Sequence, residues 1–307
     1  MLIARQRKWL RIGQRPDTGR LYPFCWTPKH GVLDESSSSS SPSSLSSSSN
    51  SSSSSPSSLS SSSNSSSSSS NSSSSSSNSS SSISAGFVPT DLASLKWWLT
   101  GDTISGADDD LIDTWPDQEA SFDFAALLLL RPTLKTNIIN GHAVARFNGT
   151  ANEMAGSADA PCVNGVGNST IFMAAKLGDN GNRWIYGEDS DIGSVYGMRY
   201  NNDTAQFIRQ TSAGVYSIAT SSTLSAGWHT LIGVYDTTGG LSLYVDGVLN
   251  GTDTGTGTAG VLIGAYVGGF STVSFFDSDI EEVGACTSAL AGDDLTNLIA
   301  YLAGKVL

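Results

Sequence analysis

The sequence predicts an all-β fold over residues 86–307, a two-sheet antiparallel sandwich closed by one short C-terminal helix and preceded by a serine-rich tract. Three observations carry this. Residues 228–251, WHTLIGVYDTTGGLSLYVDGVLNG, spell out three antiparallel strands and both turns between them. Short β-branched and aromatic runs recur through the domain, separated by Gly, Asn, Asp and Ser clusters. No long helical pattern interrupts them, which excludes a parallel α/β sheet.

Each element has its own warrant. Leu241, Leu243 and Val245 alternate with Ser242 and Tyr244, the period of a strand with one buried face. Asp246-Gly247 then supplies the φ > 0 pair that a two-residue type I′ turn requires. Upstream, residues 229–236 are β-branched and aromatic, and Thr237, Thr238, Gly239 and Gly240 end that run with turn chemistry. Further strands are expected at 170–176, 183–186, 195–200, 205–210, 215–219, 261–265 and 273–276. Phe124 to Leu130, FAALLLL, is the longest apolar run and reads as a buried strand. The terminal helix shows Leu295, Leu298, Ile299 and Leu302 at the spacing of an amphipathic face. Ser288 stands where an N-cap is expected, Gly304 where the helix should end, and Lys305 where a cation complements the dipole.

The organisation is three-part: a basic aromatic segment at 1–35, a low-complexity linker at 36–85, and the sandwich at 86–307. Residues 36–82 contain 39 serines, with SPSSLSSSSN at 41–50 and again at 55–64. Asn64, Asn71 and Asn78 keep a seven-residue period, but serine fills the positions where a coiled coil needs apolar residues. Such a chain spans about 35 to 40 Å, on the order of 5 to 6 Å times the square root of its length. It reads either as a spacer or as tolerated low complexity. Trp9, Tyr22, Phe24 and Trp26 stand among Pro16, Pro23 and Pro28 in a segment too short to bury a core. That segment reads either as a peptide docking on a larger assembly or as a disordered tail.

Charge narrows the function classes. Residues 1–35 hold seven Lys/Arg against three Asp/Glu and residues 36–307 nine against twenty-five, so the first carries +4 and the remainder −16. The sandwich therefore lacks the clustered cations that nucleic-acid binding needs. Cys25, Cys162 and Cys286 have no metal-ligand spacing; a Cys162–Cys286 bridge and free buried thiols both fit. No segment approaches the roughly 20 apolar residues of a membrane span. Met1-Leu2-Ile3-Ala4 runs at once into Arg5, Arg7 and Lys8, without the apolar stretch of a secretory leader. The expectation is cytoplasmic synthesis, with release by lysis or a non-classical route to an extracellular, cell-surface or virion-associated place.

The Trp228-His229-Thr230 strand start followed by Leu243-Tyr244-Val245-Asp246-Gly247 resembles the middle of laminin-G-like, concanavalin A-like jelly-roll domains. Leu95-Lys96-Trp97-Trp98-Leu99, Asp113-Thr114-Trp115-Pro116-Asp117-Gln118 and Ala145-Arg146-Phe147-Asn148-Gly149 resemble the opening of bacterial and phage members of that superfamily. Asp279-Ile280-Glu281-Glu282-Val283, then Ser288-Ala289-Leu290 and a short helix, resemble its closing strand and C-terminal helix. Two places depart from the pattern. Glu119-Ala120 replace the usual Ser-Gly, and Gly284-Ala285-Cys286 replace a charged and aromatic run. The resemblance implies a jelly roll whose members include lectins, adhesion modules, polysaccharide-cleaving enzymes and structural domains.

Three sets of candidate residues follow. The alternation Asp277-Ser278-Asp279-Ile280-Glu281 resembles the catalytic strand of jelly-roll polysaccharide hydrolases, which makes Asp277, Asp279 and Glu281 the residues of a hydrolase alternative. Retaining enzymes hold their carboxyls about 5 to 5.5 Å apart. Positions i and i+4 of a strand lie about 13 Å apart at Cα, so two long Glu side chains or a bulge must close the gap. Asp108, Asp110, Asp113 and Asp117, with Asp109, offer calcium the oxygen ligands it prefers, or form a solvated loop without EF-hand spacing. Trp184, Tyr186, Tyr196, Tyr200, Tyr266 and Phe270 are the aromatic candidates for stacking on sugar faces, with sandwich core as the competing role of each. His142 and His229 have no Ser or Cys nucleophile motif around them. The resulting expectation is a non-enzymatic binding or adhesion module for glycan or another surface. Its alternatives are a structural or decoration protein of a phage tail or surface assembly, and a hydrolase.

Overall fold

A computed structural model describes residues 86–120, 122–126, 129–156, 167–178, 181–189, 195–210, 214–256, 264–270 and 274–306. The basic segment, the serine tract and Cys162 lie outside the described residues. The first half of the sandwich comprises β1 (Leu95–Thr100), β2 (Thr114–Trp115), β3 (Phe124–Ala126), β4 (Thr133–Ile139), β5 (His142–Arg146), β6 (Met154–Gly156), β7 (Ser169–Leu177) and β8 (Arg183–Asp189). The second comprises β9 (Val195–Asn201), β10 (Thr204–Gln210), β11 (Tyr216–Thr220), β12 (Gly227–Asp236), β13 (Gly240–Val245), β14 (Val248–Asp253), β15 (Gly264–Val267) and β16 (Asp279–Cys286), followed by the helix α1 (Gly292–Val306).

The strands form two antiparallel sheets. The first runs β14-β13-β12-β7-β16-β5-β4, with β1 added along the β16 edge beyond β5. The second runs β11-β10-β9-β8-β15-β6-β3-β2. Non-consecutive neighbours such as β7 and β16 bring residues more than a hundred positions apart into register, among them Phe172 with Gly284.

Two cores explain why β7 and β12 are buried at nearly every position. Ile171, Met173 and Ala175 of β7 and Leu231 and Tyr235 of β12 face the second sheet, joining Trp97, Trp115, Phe124, Phe147, Tyr186 and Phe207 between the layers. The alternate residues Phe172, Ile232 and Val234 face outward, where Leu298 and Leu302 of α1 cover them. A strand buried on both sides loses the hydrophobic alternation that a half-exposed strand keeps. Burial of each of these large side chains stabilises by about 1.5 to 3 kcal/mol.

The hairpin reading holds in detail. Asp246 and Gly247 have φ of 49° and 79°, and Val245 pairs with Val248 across them. The β12–β13 turn is organised by Asp236, whose carboxylate accepts the Thr238 and Gly239 amides and the Thr238 hydroxyl. Ala120 takes a left-handed φ of 54°, which accounts for the usual glycine there in the resembling domains. At Gly284 a Cβ would lie 2.2 Å from the Phe172 ring, so this departure makes room for the side chain under α1.

Four expectations are corrected. The apolar run at 124–130 is a strand only over Phe124–Ala126; Leu129 is 87% exposed in a turn that returns the chain toward β4, and Leu127 and Leu128 lie outside the described residues. Residues 274–276 are irregular, because the Phe276 amide and carbonyl are held by Gly268 and Gly149 instead of a ladder. The helix starts at Gly292, not beside Ser288, whose hydroxyl bonds Ser94 instead. It passes through Gly304 to Val306, carrying Lys305 onto a buried carboxylate of β16. Of the strand expected at 261–265, residues 261–263 lie outside the described residues and β15 begins at Gly264. Cys286 is a free buried thiol, its pKa pushed up to about 12 by burial.

Candidate functional site

Strand parity decides which face each aromatic candidate occupies. On β9, Tyr196, Met198 and Tyr200 point into the core, so Arg199 points outward. On β15, Ala265 and Val267 are core and Tyr266 lies outward. On β8 a bulge breaks the alternation: Trp184 pairs with Arg199, yet Tyr186 pairs with Met198, the adjacent residue. Ile185 and Tyr186 therefore enter the core while Trp184 stays on the outer face.

The structure thus separates the six aromatic candidates. Tyr186, Tyr196 and Tyr200 are core residues, corrected from sugar platforms by burial; Tyr186 donates to Glu188 and Tyr196 is hydrogen-bonded to Ser169. Trp184, Phe270 and Tyr266 come together on the outer face of the second sheet. The Trp184 and Phe270 rings stack at 4.7 Å between centroids, and Tyr266 meets Phe270 edge-on at 6.3 Å. Trp184 is itself largely buried in this cluster, leaving half-buried Phe270 and Tyr266 as its accessible rings.

Glycine makes the cluster fit. Phe270 lies across Gly187, where a Cβ would come within 2.4 Å of its ring. The loop that carries Phe270 is held on both sides: Gly268 donates to the Ile185 carbonyl, Trp184 to the Ser274 carbonyl, and Arg183 to the Phe275 carbonyl. Neither Gly187 nor Arg183 stood out in the sequence, because each acts through a loop some eighty residues downstream.

The catalytic candidates are engaged elsewhere. Asp279 is buried and receives both Nε and Nη2 of Arg146, at 2.6 and 2.9 Å. Glu281 is fully buried beneath α1, bonded to Lys305 at 3.1 Å and to Thr100 at 3.3 Å. Asp277 is exposed and lies against Gly149. Burial of Asp279 and Glu281 keeps both carboxyls from solvent, so Glu281 does not join the exposed Asp277 as an acid pair on one open face.

The four proposed calcium ligands are likewise held by different donors. Asp108 accepts the Thr136 amide and Asp110 that of Ala107. Asp113 pairs with Arg131, and buried Asp117 accepts the Trp98, Glu119 and Phe122 amides. Among the described residues, the grouping whose donor atoms lie within 4.8 Å of one another is instead Asp102, His142 and Glu281. Lys305 already places its ammonium 3.1 Å from Glu281 and 3.7 Å from Asp102, supplying the positive charge that a metal ion would.

Around that ammonium, burial raises the Glu281 pKa against the opposing Lys305 charge. Burial, and then the Glu281 charge, raise the Glu282 pKa well above the ordinary carboxyl range, and Trp98 and Tyr301 donate to its carboxyl. Desolvation opposes the charge on Lys305, and Glu281, Glu282 and Asp102 outweigh it. This network fastens α1 to the first sheet and leaves the outer face of the second sheet as the candidate binding surface.

Residues 167–296 match the concanavalin A-like lectin/glucanases superfamily. That match covers the part of the sandwich from just before β7 into α1. Among solved structures, the sandwich is similar to the botulinum neurotoxin serotype D binding domain, with 11% identity, a TM-score of 0.51, and coverage of 68% of this chain and 52% of the other. It is also similar to the receptor-binding domain of the botulinum neurotoxin C/D mosaic serotype, with 10% identity, a TM-score of 0.53, and coverage of 71% and 52%. A third is the serotype D ligand-binding domain in complex with N-acetylneuraminic acid, with 12% identity, a TM-score of 0.50, and coverage of 68% and 50%. The chain spans about half the length of these structures, and at such identities the likeness is one of fold. Comparison with curated protein sequences gives no match.

Proposed function

We propose that this protein is a non-enzymatic carbohydrate-binding module whose sugar face is the outer surface of β8, β9 and β15. The observation that carries the reading is the Trp184–Phe270–Tyr266 cluster, which assembles three rings on the face away from α1. Aromatic rings stack against the apolar faces of sugars while neighbouring polar groups fix orientation, and Arg199 and Gln206 stand beside Trp184 in register. The engagement of Asp279 and Glu281 with Arg146 and Lys305 weighs against hydrolysis. A related fold binding N-acetylneuraminic acid is consistent with a glycan ligand.

In this reading, residues 36–85 are the tether, and residues 1–35 dock the module on a larger assembly such as a virion or cell surface. The test is a glycan array probed with the full chain, alongside an assay for release of reducing ends. Saturable binding without turnover, lost in F270A and Y266A, is the expected result. Binding to no glycan, or turnover that survives both substitutions, overturns the reading.

A further inference from the structure

Resting on that reading, the geometry points to a saccharide bearing an acidic group, a carboxylate or a sulfate, with Arg199 as its anchor. Arg199 lies on the same outward face as the ring cluster, its guanidinium 5.9 Å from the Trp184 ring centroid. Its Nε donates to Gln206 at 2.7 Å, which orients the guanidinium and leaves both terminal nitrogens without a partner among the described residues.

Several cations of this acidic domain are already neutralised. Arg131, Lys135, Arg146 and Lys305 each pair with carboxylates. Arg199 pairs with a neutral amide and, among the described residues, with no carboxylate; burial, outweighing the exposed Tyr216 phenol, lowers its pKa. A half-buried guanidinium without a counter-charge carries a desolvation cost that an arriving anion would offset. Its free fork matches two oxygens of a carboxylate or sulfate, and such charge-assisted pairs are stronger than neutral hydrogen bonds. The rings beside it would receive the apolar face of the same sugar. A neutral saccharide would leave the cation as it is.

The full chain should be titrated by calorimetry with three probes: a polyuronate carrying carboxylates only, a sulfated neutral polysaccharide, and an unsubstituted neutral polysaccharide. Binding to one or both acidic probes is expected, weakening with added salt. In R199Q the affinity should fall by about 10- to 100-fold, the equivalent of losing hydrogen bonds to a charged group. R199K should recover only part of it, since lysine keeps the charge and loses the fork. Thermal unfolding of both variants separates lost binding from lost folding. Binding to the neutral probe alone, or acidic binding unchanged in folded R199Q, overturns the inference and leaves the carbohydrate-binding reading standing. Binding to none of the probes, together with an empty glycan array, overturns both.

Discussion

The Lys305 ammonium, one residue from the end of α1, lies 3.1 Å from the carboxylate of Glu281, a side chain wholly shielded from solvent. The contact exists because a bulge disturbs β16. Ile280 pairs with Ala175 and Glu282 with Ala174, so Glu281 is the extra residue and both glutamates reach the same ammonium. Replacing Lys305 by Met would leave Glu281 charged and unpaired, at a cost of about 3 to 5 kcal/mol. Urea unfolding should show that loss in the midpoint with an unchanged slope. A change under about 1 kcal/mol would mean that water reaches Glu281 and that the pair does not fasten the helix.

Glu282 sets the sign of a pH effect. Its folded pKa stands well above the ordinary 4.5, raised by burial and by Glu281. Between the ordinary value and the raised one the folded protein binds more protons than the unfolded chain, so this group's contribution is present at low pH and is lost as pH rises through the folded pKa. Glu282→Gln keeps a neutral hydrogen-bonding group beside Trp98. It should raise the melting temperature at pH 8 and change it little at pH 4. An equal effect of the substitution at both pH values would refute the raised pKa.

His229 offers the companion test. Its Nδ1 lies 2.8 Å from Asp246, which also accepts the Thr230 amide. The Asp246 hydrogen bond raises the His229 pKa above 6.5, against opposing desolvation. The stabilisation is therefore full below about pH 6.5 and is lost as pH rises through the folded value. Asp246→Asn preserves the turn, because asparagine tolerates positive φ. It should lower the His229 pKa in an NMR titration and cost about 1 kcal/mol at pH 6 but little at pH 9, a modest figure because the Asp246 side chain is 45% exposed.

Gly187 tests the binding face. In Gly187→Ala the new methyl would enter the Phe270 ring and break its stack on Trp184. Tryptophan fluorescence should shift and glycan affinity should fall about tenfold, the weight of one displaced aromatic contact at about 0.5 to 1.5 kcal/mol. Unaltered fluorescence with unaltered binding would remove Phe270 from the face.

Local chemistry was legible in the sequence where neighbouring residues settle it. Asp246-Gly247 needs only its own backbone preference to make a turn, and Leu298 with Leu302 needs only helical spacing to form a buried face. Bulges defeated the same logic. Trp184 and Tyr186, two apart, belong on one face of a regular strand, yet the extra residue Ile185 sends Tyr186 into the core and leaves Trp184 outside. The alternation Asp277-Ser278-Asp279-Ile280-Glu281 looks like an acid array because sequence shows the spacing of carboxyls but not the cations, Arg146 and Lys305, that reach them from other elements.

By itself, then, the sequence determined the two-sheet antiparallel sandwich, where its central hairpin turns, and the C-terminal helix, because strand period, turn φ and helical spacing are properties of short segments. Tertiary structure alone decided which aromatic rings meet on the open face, which acids are bound to cations, and that Arg199 has no acid partner among the described residues. Those facts depend on register between strands far apart in the chain, and one bulge in that register exchanges the inside for the outside.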